Sequence, residues 1–148
     1  MIKKNIFVAC DFSTQDEAVN LVEQIKNDIF GIKIGLQYIT STGIEGIKAL
    51  SKFNLPIMYD GKYLDIKNTL VASTRSLKGL GVSCATVHLL NGEDALKEAS
   101  KVANEISVKL IGISILTSFS DKDLQALGFL DTVEKQVEKL DNYQLLEH

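Results

Sequence analysis

Five times along this chain, a run of consecutive apolar residues gives way to a stretch with apolar residues three and four apart. The runs are NIFVACD (5–11), FGIKIG (30–35), LPIMYD (55–60), SCATVHLL (83–90) and VKLIGISIL (108–116). Ala18, Leu21, Val22 and Ile25 predict a helix over 16–27, and Ile44, Ile47 and Leu50 one over 43–52. Ile66, Leu70, Leu77 and Leu80 predict a third over 66–80, stopping at Gly81, and Ala95 to Ile106 a fourth over 93–106. A short helix near Asp121 and a longer one over 130–143 complete the pattern. Strand followed by helix, repeated, is the signature of an α/β protein with a parallel sheet. Strands that are apolar almost throughout call for a sheet covered on both faces. The single proline, Pro56, stands at the start of a run, where a missing N–H is tolerated.

With 148 residues, 45% hydrophobic and 24% charged, the chain has the composition of one soluble domain. A net charge of −3, with no basic stripe interleaved with aromatics, argues against a nucleic-acid partner. No apolar run reaches the ~18 residues of a membrane span, and the N-terminus lacks a signal-peptide pattern. The expectation is a cytoplasmic protein with no membrane partner. Cys10 and Cys84 both fall in strands and read as buried thiols of a reducing compartment, not as a disulfide. With His88 they lack metal-ligand spacing, so no metal is expected. Lys3 and Lys4 read as solvated. Residues 1–145 read as one partial barrel domain, and Leu146-Glu147-His148 as the remnant of an expression tag.

Two architectures fit the alternation: an open doubly wound sheet and a (β/α)₈ barrel. Asp11, Lys33, Asp60, His88 and Thr117/Ser118 each stand at or just past the C-terminal end of a successive strand, the edge where both architectures build sites. Contributions from five consecutive strands suit a ring better than a sheet with one switch point. The first strand is followed by DFSTQD, with no G-x-G-x-x-G, which argues against a dinucleotide fold. A full barrel needs eight strands and about 250 residues. The reading is therefore a truncated TIM barrel of about five parallel strands with flanking helices.

The stretch MYDGKYLDIKNTL (58–70) sets charges where a buried strand runs out. Strand alternation puts Asp60 and Lys62 on one side. Asp65 is placed to cap a helix beginning at Ile66. Lys33, ending the preceding strand, is a natural neighbour for Asp60, giving a line Lys33–Asp60–Lys62–Asp65 of alternating sign. Charges at the mouth of a buried strand persist when they are paired or when they are used, so a functional cluster and a structural ion-pair network both fit. His88 reads as a hydrogen-bonded scaffold residue and not as a base.

DGKYLDIKNT (60–69) resembles the signature D-x-K-x-x-D-I-x-N-T of the orotidine 5'-phosphate decarboxylases. FVACDFST, IKIGLQYI, ATVHLLNG and ILTSFSDKDL resemble that family's first, second, fourth and fifth strands in order. Related phosphosugar enzymes share D-x-K-x-x-D, but those similar to the keto-gulonate phosphate decarboxylases bind magnesium and carry an acidic residue where Lys33 stands. Lys33 with Asn68-Thr69 points to the orotidylate branch. Leu64 and Lys67 depart from the family pattern, which has histidine and proline at those places. The phosphate grip of the family comes from later loops, and the sole arginine, Arg75, falls in the predicted helix after the third strand.

The resemblance implies cofactor-free loss of CO₂ from carbon 6 of orotidine 5'-phosphate, giving uridine 5'-phosphate in pyrimidine biosynthesis. It makes Lys62 the proton donor to that carbon, fixed by Asp60, with Lys33 extending the network and contacting ribose. It assigns a ribose hydroxyl to Asp11 and the pyrimidine to Ser118. It has Asp65, Ile66 and Thr69 act across a homodimer interface. Exposed edges on strands one and five of an incomplete barrel would add a reason to associate, as a homodimer or higher oligomer. The other reading is a non-catalytic oligomeric barrel fragment that keeps some nucleotide binding.

Overall fold

Strands form where β-branched and other apolar side chains run together, and helices where the apolar spacing opens to three and four. A computed structural model describes residues 5–141. Its elements run β1 (Phe7–Ala9), α1 (Gln15–Ile25), β2 (Gly31–Gly35), α2 (Leu36–Ser51), β3 (Ile57–Tyr63) and α3 (Lys67–Arg75), then β4 (Val82–His88), α4 (Glu93–Glu105), β5 (Lys109–Ile113), α5 (Asp121–Ala126) and α6 (Val133–Asp141). A 3₁₀ turn, Leu89–Asn91, follows β4. The readings of Lys3, Lys4, the 146–148 tag and the outer ends of the domain and of the last helix lie outside the described residues.

All five strands are parallel and lie in one sheet in chain order, β1-β2-β3-β4-β5. A doubly wound sheet reverses its strand order at a switch point. Chain order without reversal is the arrangement of a (β/α) barrel, here five of its strands. β1 and β5 are the edges of this sheet. The expectation of strands covered on both faces holds for β2 and β4 but not for the edges, where Ala9, Lys109 and Ile111 are exposed. An edge strand has a neighbour on one side only.

Alternation along the strands divides the sheet into two faces. Ile32, Ile34, Ile57 and Ala85 turn toward the helices and join Ala18, Val22, Ile47 and Leu50 in the main core. A second cluster, centred on Leu70, Val87, Leu96 and Ala99, lies under α3 and α4 and includes Leu140 of α6. Lys33, Asp60, Thr86 and His88 fall on the other parity, so one face carries apolar packing and the other the polar groups.

Helix starts follow capping chemistry. The Thr14 hydroxyl accepts from the amide of Glu17 at the head of α1, and Ser120 with Asp123 forms a capping box at α5, beside the expected start at Asp121. Several boundaries differ from expectation. The third helix ends at Arg75, with turns continuing to Gly81. Helix α3 begins at Lys67, and Asp65 does not cap it: among the described residues, the Asp65 carboxylate accepts from the next amide, Ile66, at 2.7 Å and from no amide of the first turn. Helix α2 starts seven residues early, at Leu36, and bends at Gly43, where φ is 62° and ψ −155°. Below the bend, the buried Tyr38 hydroxyl donates to the Gly46 carbonyl at 3.0 Å, tying the two halves together.

The Gly43 conformation is one that essentially only glycine adopts. Gly43→Ala should lower unfolding free energy by about 1–3 kcal/mol, read as a fall in the urea midpoint with unchanged slope.

Candidate active site

The polar face comes to a focus at the C-terminal end of β3. Asp60 is 8% exposed. Its Oδ2 receives the Lys62 ammonium at 2.8 Å and the Lys33 ammonium at 3.2 Å, and its Oδ1 accepts the Thr86 hydroxyl at 2.9 Å. Lys33 lies 4.0 Å from Asp11 Oδ2. The charges thus run Asp11–Lys33–Asp60–Lys62, supplied by β2, β3 and the loop after β1. Register accounts for the meeting: Gly35 pairs with Asp60 and Lys33 with Met58, so Lys33 and Asp60 project from the same face one step apart.

Strand alternation alone does not bring Lys62 back to Asp60. Between Tyr59 and Tyr63, β3 carries four steps against two on β4, where the partners are Ala85 and Val87. The surplus is a bulge, and Lys62 within it has φ +47°. Gly61 is required there, because a Cβ would lie 2.4 Å from the Tyr59 ring. A bulge beside a site re-aims a side chain, and this one folds the Lys62 ammonium onto the carboxylate two residues earlier. The Lys62 amide, which the bulge removes from the ladder, donates to the Thr86 hydroxyl at 2.8 Å.

Burial, the largest single influence on Asp60, pushes its carboxyl up. Hydrogen bonds from Lys62, Thr86 and Lys33 outweigh it together and hold the group below the ordinary carboxylate value. Burial lowers His88, whose Nδ1 accepts the Leu90 amide at 3.3 Å, so the ring stays neutral and anchors the 3₁₀ turn. That agrees with a scaffold role. The Cys10 thiol is pushed up to about 11 by burial and by the Asp11 charge, and Cys84 is raised by burial; both are free and buried. Among the described residues, no group of three His, Cys, Asp or Glu is placed to hold a metal ion, and no helix is long and apolar enough to cross a membrane.

Beside Lys62 lies a cleft of about 510 Å³, lined by Lys62 and by residues 112–118, from β5 and the loop after it. Ser118 and Thr117 therefore border the same space as the Lys62 side chain. Asp65, Ile66 and Thr69 do not join the cluster. All three are exposed, Ile66 at 72%, and Asp65 forms no ion pair among the described residues. The expected line Lys33–Asp60–Lys62–Asp65 instead ends at Lys62 and gains Asp11 at its other end. Arg75 lies apart, paired with Glu105 on α4 at 2.9 Å.

Two polar residues that carry the geometry were not singled out from sequence. Thr86 is 3% exposed and touches both Asp60 and Lys62. The signal for it was one hydroxyl within the mostly apolar ATVHLL, two residues before His88. Asn91 donates to the carbonyls of Tyr63 and His88, both at 2.7 Å, and accepts the Asp65 amide at 3.0 Å. It ties the loop that presents Asp65 to the end of β4. Asparagine before Gly92 was the available signal, since Asx side chains bond nearby backbone in turns.

Because the Asp60 carboxyl is depressed in the folded state, its stabilisation is complete above the unfolded value of about 3.9 and is lost as pH falls through the folded one. Stability should therefore drop on acidification below about pH 4, and Asp60→Asn should flatten that drop, measured by urea denaturation across pH 2–6.

Residues 4–145 match the model of the orotidine 5'-phosphate decarboxylase / HUMPS family. The chain is 34% identical over 132 residues to the orotidine 5'-phosphate decarboxylase of Wolbachia sp. subsp. Brugia malayi, covering 88% of this chain and 59% of that protein. It is 33% identical over 135 residues to that of Sphingopyxis alaskensis, covering 91% and 60%. It thus spans about three fifths of the length of these relatives. Its fold superposes on the orotidine 5'-phosphate decarboxylase of Lactobacillus acidophilus with a TM-score of 0.85 at 26% identity, over 95% of this chain and 66% of that one. On the Methanocaldococcus jannaschii enzyme, solved with the inhibitor BMP, the score is 0.76 at 27% identity, over 95% and 62%. With strand order, charge cluster and family model in agreement over nearly its whole length, the chain belongs to the orotidine 5'-phosphate decarboxylase / HUMPS family.

Proposed function

We propose that this chain carries the catalytic network of an orotidine 5'-phosphate decarboxylase, forming uridine 5'-phosphate and CO₂. The observation that carries the reading is the line Asp11–Lys33–Asp60–Lys62, with the Lys62 ammonium 2.8 Å from Asp60 and facing a cleft. Lys33 favours the orotidylate branch over the magnesium-dependent one, because it places a cation where that branch has an acid. In the proposed reaction the substrate carboxylate lies beside Asp60. The bond from carbon 6 to the carboxylate breaks, its electron pair stays on carbon 6, and CO₂ leaves uncharged. Lys62 stabilises the carbanion and passes a proton to it, then regains one from water. Atoms and charge balance without a redox partner. Asp11 and Lys33 take ribose hydroxyls, and Ser118, bordering the same cleft, takes the pyrimidine.

Asp65, Ile66 and Thr69 complete the site of a second copy in this reading. Their exposure supports it, as does the exposed apolar rim of Leu36, Leu64 and Ile66. The protein then works as a homodimer, and its protonated, buried thiols suit a reducing cytoplasm. One observation favours the alternative, a non-catalytic oligomeric barrel fragment: the sole arginine is paired with Glu105 away from the cleft, so it is not placed to hold a phosphate there.

The ultraviolet absorbance of orotidine 5'-phosphate should fall toward that of uridine 5'-phosphate in the presence of the chain, and Lys62→Ala should lower that activity by about 10²-fold or more. Binding of uridine 5'-phosphate without any turnover would favour the fragment reading. Mixing Lys62→Ala with Asp65→Asn tests the shared site separately. Half of the re-assorted dimers are mixed and each holds one intact site, so activity should return to about a quarter of wild type. No recovery, or a monomer by light scattering at high concentration, would sink the shared site.

A further inference from the structure

Thr86 stands on β4, opposite the bulge in β3, and its hydroxyl touches both members of the Asp60–Lys62 pair. A hydroxyl has one proton to give and two lone pairs. The Lys62 amide can only donate, so at that contact the Thr86 oxygen must accept. Its proton is then committed to Asp60 Oδ1, which as a carboxylate can only accept. The direction of the chain Lys62 N–H to Thr86 O–H to Asp60 is therefore forced by donor count. Thr86 is 3% exposed, and its β-branched side chain on a strand has restricted χ1, so the hydroxyl has little freedom to turn away.

We propose that Thr86 is a positioning residue for the reaction: its hydroxyl fixes the Asp60 carboxylate and the left-handed Lys62 backbone together, and so sets where the Lys62 ammonium points. This rests on the proposed decarboxylation for its catalytic consequence, though not for its geometry. A lysine at φ +47° is held only where surrounding contacts over-determine it. Within the bulge, the amide bond to Thr86 is such a contact. With Oδ1 occupied by Thr86, Oδ2 remains for the two ammoniums, Lys62 at 2.8 Å and Lys33 at 3.2 Å. Without the hydroxyl, the carboxylate can rotate and the bulge can relax, and both motions move the ammonium.

The test compares Thr86→Val, which keeps the shape and loses the hydroxyl, with Thr86→Ser, which keeps the hydroxyl. Carboxyl-carbon NMR follows the Asp60 titration, and hydrogen exchange follows the Lys62 amide. The charged groups facing Asp60 are Lys33 from β2 and Lys62 from its own strand, and they are the same in every variant. Valine should raise the Asp60 midpoint and speed Lys62 exchange by about tenfold or more, while serine stays near wild type. In turnover, valine should lower kcat by about tenfold with KM within about threefold, and serine should rescue it. A valine variant that matches wild type in titration and exchange overturns the proposal, and so does unchanged kcat in an active protein. If valine prevents folding, the wild-type Lys62 amide decides: protection supports the proposal and free exchange overturns it. A wild-type chain without turnover sinks the proposed reaction, and the two NMR measurements still decide Thr86.

Discussion

A carboxylate held out of water at the end of a strand has to be compensated, and the compensation of Asp60 organises the rest of the polar face. Its desolvation would cost several kcal/mol if it stood alone. Two ammoniums and a hydroxyl reach it from three adjacent strands, and together they leave it more acidic than in water. Each partner needs its own backbone to be in place: Lys33 needs the register of β2, Thr86 that of β4, and Lys62 the bulge. The arrangement is a property of the assembled sheet, and no single strand could hold it. Lys62 and Lys33 remain about one third exposed, so their charges are directed without being sealed off.

The bulge makes this geometry possible, and the scaffold around it explains why it survives. Tyr59 and Tyr63 bracket it with their rings 5.4 Å apart, packed on the helix side against the main core. The Tyr59 ring occupies the space that a side chain at position 61 would need. Apolar packing on one face thus selects glycine, and the freed backbone turns lysine toward the polar face. Core and site are coupled through three consecutive residues, Asp60, Gly61 and Lys62.

Much of this was legible in the amino-acid order. Five apolar runs at strand length located all five strands, and the polar residues ending them marked the working edge. Chain-order placement was enough to bring Lys33 to Asp60; Asp11 marked the same edge, but its approach to Lys33 was not expected. The first turns of α2 were not legible, because Ile39, Thr40, Ser41 and Thr42 are poor helix formers and Gly43 interrupts the spacing; Tyr38 and its bond to Gly46 hold them helical. The end of α3 was misplaced because Leu77 and Leu80 keep helical spacing while packing as turns. The bulge was invisible because period-two counting already put Asp60 and Lys62 on one side, giving the right neighbours by the wrong path. Thr86 was hidden for a different reason: a hydroxyl among apolar residues carries no sign of which partner it will find.

The charge count of the cluster bears on what it can favour. Two ammoniums and two carboxylates make the set of Asp11, Lys33, Asp60 and Lys62 neutral, so it has no strong net pull on an anion as such. Its selectivity lies in position. On the proposed reading, the substrate carboxylate sits near Asp60 and is repelled, and that repulsion ends as CO₂ departs without charge. The charge left on carbon 6 lies by Lys62, whose ammonium is already oriented by Asp60 and Thr86 and needs no reorganisation. A neutral but ordered set therefore discriminates between ground and transition states better than a larger positive charge, which would hold both alike. Asp65 arriving from a second copy would tip the set to a net negative charge and add to the repulsion of the carboxylate, so that association would sharpen the discrimination.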